Sequence, residues 1–140
     1  MRILGLDVGD KTIGVAVSDP LGVIAQGVGI ILRTKRESDL IKIKELIKKY
    51  AVELIVVGLP WNMNGTLGKQ GQKALAFADQ LKKNAGVPVQ TWDERLTTLT
   101  AEKVLLSADL SRARRKKVID KIAAVLILQN FLDAKNCQKH

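Results

Sequence analysis

The chain has 140 residues, 46% of them hydrophobic, and a formal net charge of +9 at pH 7. That length suits one domain, residues 1–140, whose core needs no disulfide, and the single cysteine, Cys137, forms none within the chain and fits a reducing compartment. No apolar run approaches the roughly 20 residues of a membrane span and no charged-then-apolar leader precedes the first strand, so the composition argues against a membrane partner and favours a polyanionic one.

The first stretch, Arg2–Asp19, organises the rest. Ile3, Leu4, Leu6 and Val8 form a nearly continuous apolar run, as in a strand buried on both faces. Asp7 interrupts it. A carboxylate in a central strand is costly to desolvate unless it is paired, hydrogen-bonded or bound to a metal, so Asp7 is either a turn-making acid or a metal ligand at the mouth of a sheet. Gly9 permits a tight turn, and Ile13, Val15 and Val17 mark a second strand. Pro20-Leu21-Gly22 reads as a turn and Gln26–Arg33 as a third strand, giving an antiparallel meander.

Ser38–Tyr50 has helical spacing in Leu40, Ile43, Leu46, Ile47 and Tyr50, with Ser38 as a candidate N-cap. Glu53–Gly58 is another short apolar strand, and this strand–helix–strand order suggests a crossover into a parallel part of the sheet. Leu59–Gly65 is a loop in which Asn62, Asn64 and Gly65 supply turn chemistry or touch a nucleic-acid backbone, and Trp61 stacks on a base or packs the loop. Lys69–Asn84 is a helix ended by Gly86 in the left-handed conformation. Val87–Trp92 is a strand closed by Asp93-Glu94-Arg95. A helix over Leu96–Ser107, a basic connection over Ser111–Lys117 and a last helix over Val118–Ala134 complete the order β-β-β-α-β-α-β-α-α. This is an α/β fold with a mixed five-stranded sheet flanked by helices, and ligands of such sheets bind outside the carboxyl ends of the parallel strands. Asp7, the loop from Pro60 and Asp93-Glu94 meet there.

In the last helix Asp120, Ala123, Ala124, Ile127 and Phe131 share one stripe, apolar except for the acid. Asp120 therefore faces the protein, as a complement to the helix dipole or as a ligand. Side chains alternate along a strand, so Asp93 and Glu94 point to opposite faces, and periodicity leaves open which one joins Asp7. Converging carboxylates repel one another unless cations neutralise them, and hard oxygen donors suit Mg²⁺ or Mn²⁺. Two such ions ~4 Å apart can activate water and stabilise the leaving oxygen of a phosphodiester. The only histidine, His140, is terminal and a poor general base. From Arg112 to Lys121 there are six basic residues and one acid, which carry +5 of the net +9. Arg112, Arg114, Arg115, Lys116 and Lys117 thus form a solvated charged loop or, beside Asp120, a phosphate-holding segment. Lys11, Asn64, Lys69 and Arg95 are further candidate contacts to a nucleic-acid backbone, and Arg95 could instead pair with Asp93 or Glu94.

At this point the chain resembles the YqgF family, also called RuvX-like or pre-16S rRNA nucleases. The matching segments are Asp7-Val8-Gly9-Asp10-Lys11-Thr12-Ile13-Gly14-Val15-Ala16, Gly58-Leu59-Pro60 with Asn62-Met63-Asn64-Gly65, Trp92-Asp93-Glu94-Arg95-Leu96-Thr97-Thr98, and Asp120-Lys121-Ile122-Ala123-Ala124. They lie in the family's order over nearly the whole chain. The resemblance implies a ribonuclease H-like fold related to RuvC-type junction resolvases, and a cytoplasmic bacterial protein linked to maturation of the 16S rRNA 5′ end. It also implies Asp7, Glu94 and Asp120 as the acidic triad, favouring Glu94 over Asp93.

The leading expectation is a metal-dependent endonuclease acting on precursor rRNA or a pre-ribosomal particle, as a monomer or weak homodimer. The same chemistry would serve a Holliday junction resolvase, which needs a two-fold dimer to cut two strands symmetrically. The Asp7-x-Gly9 hairpin also resembles the first phosphate motif of the actin and sugar-kinase superfamily, but those proteins enclose nucleotide between two lobes and 140 residues supply one. A noncatalytic RNA-binding assembly factor would leave a buried Asp7 and an inward Asp120 unexplained.

Overall fold

A computed structural model describes residues 1–96 and 112–137, with side chains described except at 96 and 112–121. Strands β1 (Arg2–Val8), β2 (Thr12–Ser18) and β3 (Ala25–Leu32) are followed by helix α1 (Arg36–Tyr50), strand β4 (Val52–Leu59), helix α2 (Lys69–Asn84) and strand β5 (Val89–Asp93). A short 3₁₀ turn, Glu94–Leu96, leaves β5, and helix α3 spans Arg112–Cys137. The sheet order is β3-β2-β1-β4-β5. The β1–β2 and β2–β3 pairs are antiparallel, and the β1–β4 and β4–β5 pairs are parallel. The meander and the crossover expected from connection lengths are both present. Among the described residues, no helix is long and apolar enough to cross a membrane.

The period of two along each strand divides the apolar residues between two cores. Leu4, Leu6, Val8, Ile13, Val15, Ile55 and Val57 pack with Leu40, Ile43, Ala74, Phe77 and Leu81 of α1 and α2. Ile3, Ala16, Leu54 and Val56 face the other way, against Ala123, Ala124, Ile127, Leu128, Phe131 and Leu132 of α3. The central strands are thus covered on both sides, which is why β1 and β4 read as continuous apolar runs. Helix α3 lies close enough that a Cβ on Gly5 would fall 2.7 Å from Leu128 Cβ.

Several boundaries differ from the sequence reading, each for a local reason. Helix α1 starts at Arg36, so Ser38 lies within the helix and is not its cap; the N-cap is Lys35, with no side-chain capping bond. The Asp39 carboxylate, inside the helix, instead ties down the incoming chain by accepting the Thr34 N–H at 3.1 Å. The same helix ends on Ala51 in the left-handed region (φ 52°), whose N–H bonds back to Ile47 and Lys48. Gly86 follows α2 with φ 76°, as its position after the last helical turn requires. The segment Arg112–Lys117, expected as a connection, has helical backbone and opens α3. Arg, Lys and Ala are strong helix formers, and nothing in that stretch stops a helix. The helix expected over Leu96–Ser107 lies outside the described residues beyond its first position.

The β2–β3 turn is gathered by Asp19 from within and bonded by Gln129 and Asn136 of α3 from outside. Asp19 accepts the N–H groups of Val23 and Ile24 on Oδ1 at 2.7 and 2.8 Å, and that of Leu21 on Oδ2 at 3.3 Å. The donors of Ile24 and Val23, then Leu21, hold its carboxyl below the ordinary aspartate range despite lost hydration. A carboxyl lowered in the folded state adds stability that is complete above its unfolded pKa and is lost as pH falls through the folded one. Asp19→Ala should therefore lower the melting temperature at neutral pH, and the gap to wild type should narrow as the pH drops below about 3.9. Melting curves from pH 7 to pH 2.5 check this, and a gap that does not change with pH would assign the effect to something other than the charge.

Candidate active site and nucleic-acid interface

Asp7 is the penultimate residue of β1. Alternation puts it on the same face as Gly5 and Ile3, toward α3. It pairs with Gly14 across the antiparallel β1–β2 ladder. On the other side the parallel register runs Leu6↔Val57, which brings Gly58 alongside Asp7. Asp7 is therefore flanked on both neighbouring strands by residues without a side chain, and it is half-buried.

Glu94 reaches the same place from β5. Gly58 pairs with Trp92, so the 3₁₀ turn begins beside the end of β4. The Glu94 carboxyl carbon lies 3.4 Å from where a Gly58 Cβ would stand, and Ile127 of α3 lies 2.5 Å from that point. Glu94 thus sits on the α3 face, with Asp7 about one strand spacing away, ~4.8 Å, across Gly58.

Asp93 faces away and is already engaged. It pairs with Leu59 in the β4–β5 register. Its Oδ2 accepts from Arg95 Nη2 at 2.7 Å, and its Oδ1 from the Arg95 backbone N–H at 2.9 Å. The Arg95 side-chain bond is the main reason its carboxyl is held below the ordinary range. Position thus puts Glu94 on the Asp7 face of the sheet and Asp93 on the other.

Arg95 also braces the loop after β4. Its guanidinium lies over the Trp61 ring at 5.7 Å and donates to the Asn62 carbonyl at 3.4 Å. Trp61 bridges to Leu67, and the Gly65 N–H bonds to the Asn62 carbonyl at 2.9 Å, closing a small hairpin with Gly65 at φ 85°. Asn64 is exposed, but its Oδ1 accepts from the Thr66 N–H and hydroxyl at 3.1 and 2.6 Å. Only the Asn64 amide N–H₂ remains for an outside contact. Trp61 is committed on one face to Arg95, which favours the loop-packing role.

Lys11 is exposed in the β1–β2 turn, and Lys69 is exposed at the first position of α2. Asp120, Arg112, Arg114, Arg115, Lys116 and Lys117 lie on the α3 backbone, and their side chains lie outside those described. Asp120 precedes the buried Ala123 and Ala124 by three and four residues on one continuous helix, two turns before Ile127.

The donor set fits a hard divalent cation. Two carboxylates share one face, and the two flanking glycines leave room between the strands. Among the described residues no three His, Cys, Asp or Glu groups gather as a metal cluster.

Sequence reasoning passed over a second group of residues at the same end of the sheet. The Arg33 guanidinium donates to the Gly9 carbonyl at 2.8 Å and lies 3.5 Å from Asp39 Oδ2, with its face over the Phe77 ring at 5.2 Å. Asp39 is 1% exposed, so this is a buried acid neutralised by a held arginine. Lys73 bonds Asp10 at 2.7 Å, and that bond, then the charges of Lys73, Arg33 and Lys11, hold the Asp10 carboxyl low against lost hydration. No motif or periodicity marks these pairs, because their partners come from different elements.

The RuvX family model, described as "Holliday junction resolvase", matches residues 1–134. A protein of Desulforamulus reducens named "Putative pre-16S rRNA nuclease" is 58% identical over 134 residues, covering 96% of this chain and 98% of its own. One of the same name from Thermoanaerobacter pseudethanolicus is 60% identical over 135 residues, covering 96% and 97%. Among solved structures, T. thermophilus RuvC in complex with a Holliday junction substrate superposes with a TM-score of 0.62 at 17% identity, covering 98% of this chain and 96% of that one. At that identity the likeness is one of fold.

Proposed function

The chain belongs to the RuvX family, and from that premise we propose that it is a metal-dependent endonuclease that processes the 5′ end of precursor 16S rRNA. The observation that carries this reading is the placing of Asp7 and Glu94 on one face of a ribonuclease H-like sheet, at the carboxyl ends of its parallel strands β1 and β5. Asp7 and Glu94 supply the anionic oxygens, and Asp120 is the third acid, arriving on α3. Mg²⁺ or Mn²⁺, as a pair of ions, supplies the activation of the attacking water and the charge stabilisation at the leaving oxygen. The chain's own task is to hold that charge in a fixed, half-buried place and to lay the phosphodiester across it.

The grip on the RNA backbone falls to Lys11, Lys69 and the basic first turns of α3, Arg112, Arg114, Arg115, Lys116 and Lys117. Arg95 and Asn64 contribute the donors that their own loop leaves over. The partner is a nucleic acid, in this reading the precursor rRNA free or within a pre-ribosomal particle, met in the cytoplasm by a monomer or weak homodimer.

The test is cleavage of an RNA spanning the precursor 5′ end, beside a four-way DNA junction, with Mg²⁺, Mn²⁺ or EDTA. Metal-dependent cutting of the RNA is the expected result, and cutting of the junction alone would replace the reading with a resolvase. The two neighbouring acids then separate by role. Glu94→Gln should lower cleavage at least about a hundredfold, whereas Asp93→Asn should change it by less than about tenfold, because its carboxylate only pairs with Arg95. Equal losses in the two variants would refute the assignment of Glu94.

A further inference from the structure

On the α1–α2 side of the sheet, at the same end as Asp7, there is a cleft of about 160 Å³ lined by Arg33, Arg36, Lys73, Ala76 and Phe77. Three of its five lining residues are cationic. Its volume is several times the ~30 Å³ that one water occupies in the liquid, so it admits a tetrahedral oxyanion. Resting on the reading of the chain as an RNA-cutting nuclease, we propose that this cleft is a second phosphate site, which holds a backbone phosphate of the RNA strand where it passes from the Asp7–Glu94 face over the β1–β2 turn.

The first argument is preorganisation. Arg33 is fixed by Asp39, by the Gly9 carbonyl and by the Phe77 ring. A guanidinium has five N–H donors, and the Gly9 and Asp39 contacts use two of them. The fork is therefore held in place with donors to spare, and little conformational freedom remains to be lost when an anion binds. Arg36 is exposed on the first turn of α1, where the backbone N–H groups add their own positive end.

The second argument is that the acids nearby do not fill the cleft. Asp39 is buried and committed to Thr34 and Arg33. Asp10 binds Lys73 in the open, with the two side chains 57% and 58% exposed. Such a pair is worth little in water, so Lys73 can exchange Asp10 for a phosphate.

The third argument is position. The Gly9 carbonyl held by Arg33 is two residues beyond Asp7, and Gln70 of α2 donates to the Val8 carbonyl at 3.4 Å. The residues of the cleft and the residues of the cutting site share one turn. A strand lying across Asp7 reaches the cleft by crossing that turn, past the exposed Lys11.

The experiment measures binding, in an Asp7→Asn background, of two labelled single-stranded RNAs of equal length, one from the 16S precursor 5′ end and one unrelated. Salt is varied from 50 to 200 mM. Arg36→Gln/Lys73→Gln is compared with a charge-matched double variant at the far ends of the same helices, Lys48→Gln/Lys83→Gln. All four side chains are exposed, so both variants fold. The expected result is about a tenfold weaker Kd for the cleft variant on both RNAs, with its log Kd–log salt slope reduced by about 0.7, the value for one phosphate on a single strand. The far-end variant should change much less. Equal affinities and slopes in the cleft variant and its Asp7→Asn parent, or equal losses in the two double variants, would overturn the site. The rRNA reading fails separately: if the chain with Asp7 intact cuts no RNA while the cleft variant still loses affinity and slope, the phosphate site stands and the assigned reaction does not.

Discussion

Asp7→Asn should reduce RNA cleavage about a thousandfold, which is about 4 kcal/mol of transition-state stabilisation, and leave RNA affinity nearly unchanged. The substitution keeps the size of the side chain and one acceptor oxygen but removes the charge that a cation needs. The strand around it is secure, since Ile3, Leu4 and Leu6 are at most 1% exposed and β1 is paired on both sides. A loss of activity therefore reports on chemistry and not on folding. An activity-independent readout accompanies it. A cation that binds only the folded protein raises the melting temperature with the logarithm of its concentration above Kd, so Mg²⁺ or Mn²⁺ should stabilise wild type over EDTA and stabilise Asp7→Asn much less. Wild-type rates from Asp7→Asn, or an undiminished metal-dependent shift, would remove Asp7 from the centre of the mechanism.

Gly5→Val should be the most damaging single change to stability, at about 3 kcal/mol or roughly 10 °C in melting temperature. A Cβ at Gly5 would stand 2.7 Å from Leu128 Cβ and 3.3 Å from the Ala124 carbonyl oxygen. Both atoms are fixed to the α3 backbone, so the helix itself must withdraw. Gly58→Ala makes a useful contrast. Its nearest obstruction, 2.5 Å away, is Ile127 Cδ1, the free end of a side chain that can turn aside. Its stability cost is therefore smaller, while the Glu94 carboxyl 3.4 Å away places its main effect on cleavage. Thermal melts and cleavage rates of both variants check the pattern. A Gly5→Val protein that melts like wild type would show that α3 is not seated on β1 as described.

Much of the architecture was legible because it rests on local rules. Apolar runs marked β1 and β4, helical spacing marked α2, and short connections implied the meander. The candidate site was legible as far as charge in unexpected places reveals it: Asp7 inside an apolar strand and Asp120 on an apolar stripe. The choice between Asp93 and Glu94 was not, because alternation says only that neighbours diverge. The deciding fact is a tertiary one, the approach of Glu94 to Gly58 and Ile127. Ser38 was a sound N-cap by type, but the helix starts earlier, at Arg36, with Asp39 bonded back to Thr34 in the segment before it. Arg33 gave no signal at all, since its meaning lies in Gly9, Asp39 and Phe77, which belong to three different elements.

Among the described residues helix α3 covers one face of the sheet, and it follows all five strands in the chain. Ile3, Ala16, Leu54 and Val56 are buried with Ala123–Leu132, which are synthesised after all of them. Asp7 and Glu94 are present long before Asp120. If Asp120 is the third acid, as proposed, the docking that seats α3 on the sheet is also the event that brings it to the other two. On the proposed mechanism, cleavage would therefore have to wait until α3 has been made and seated on the sheet.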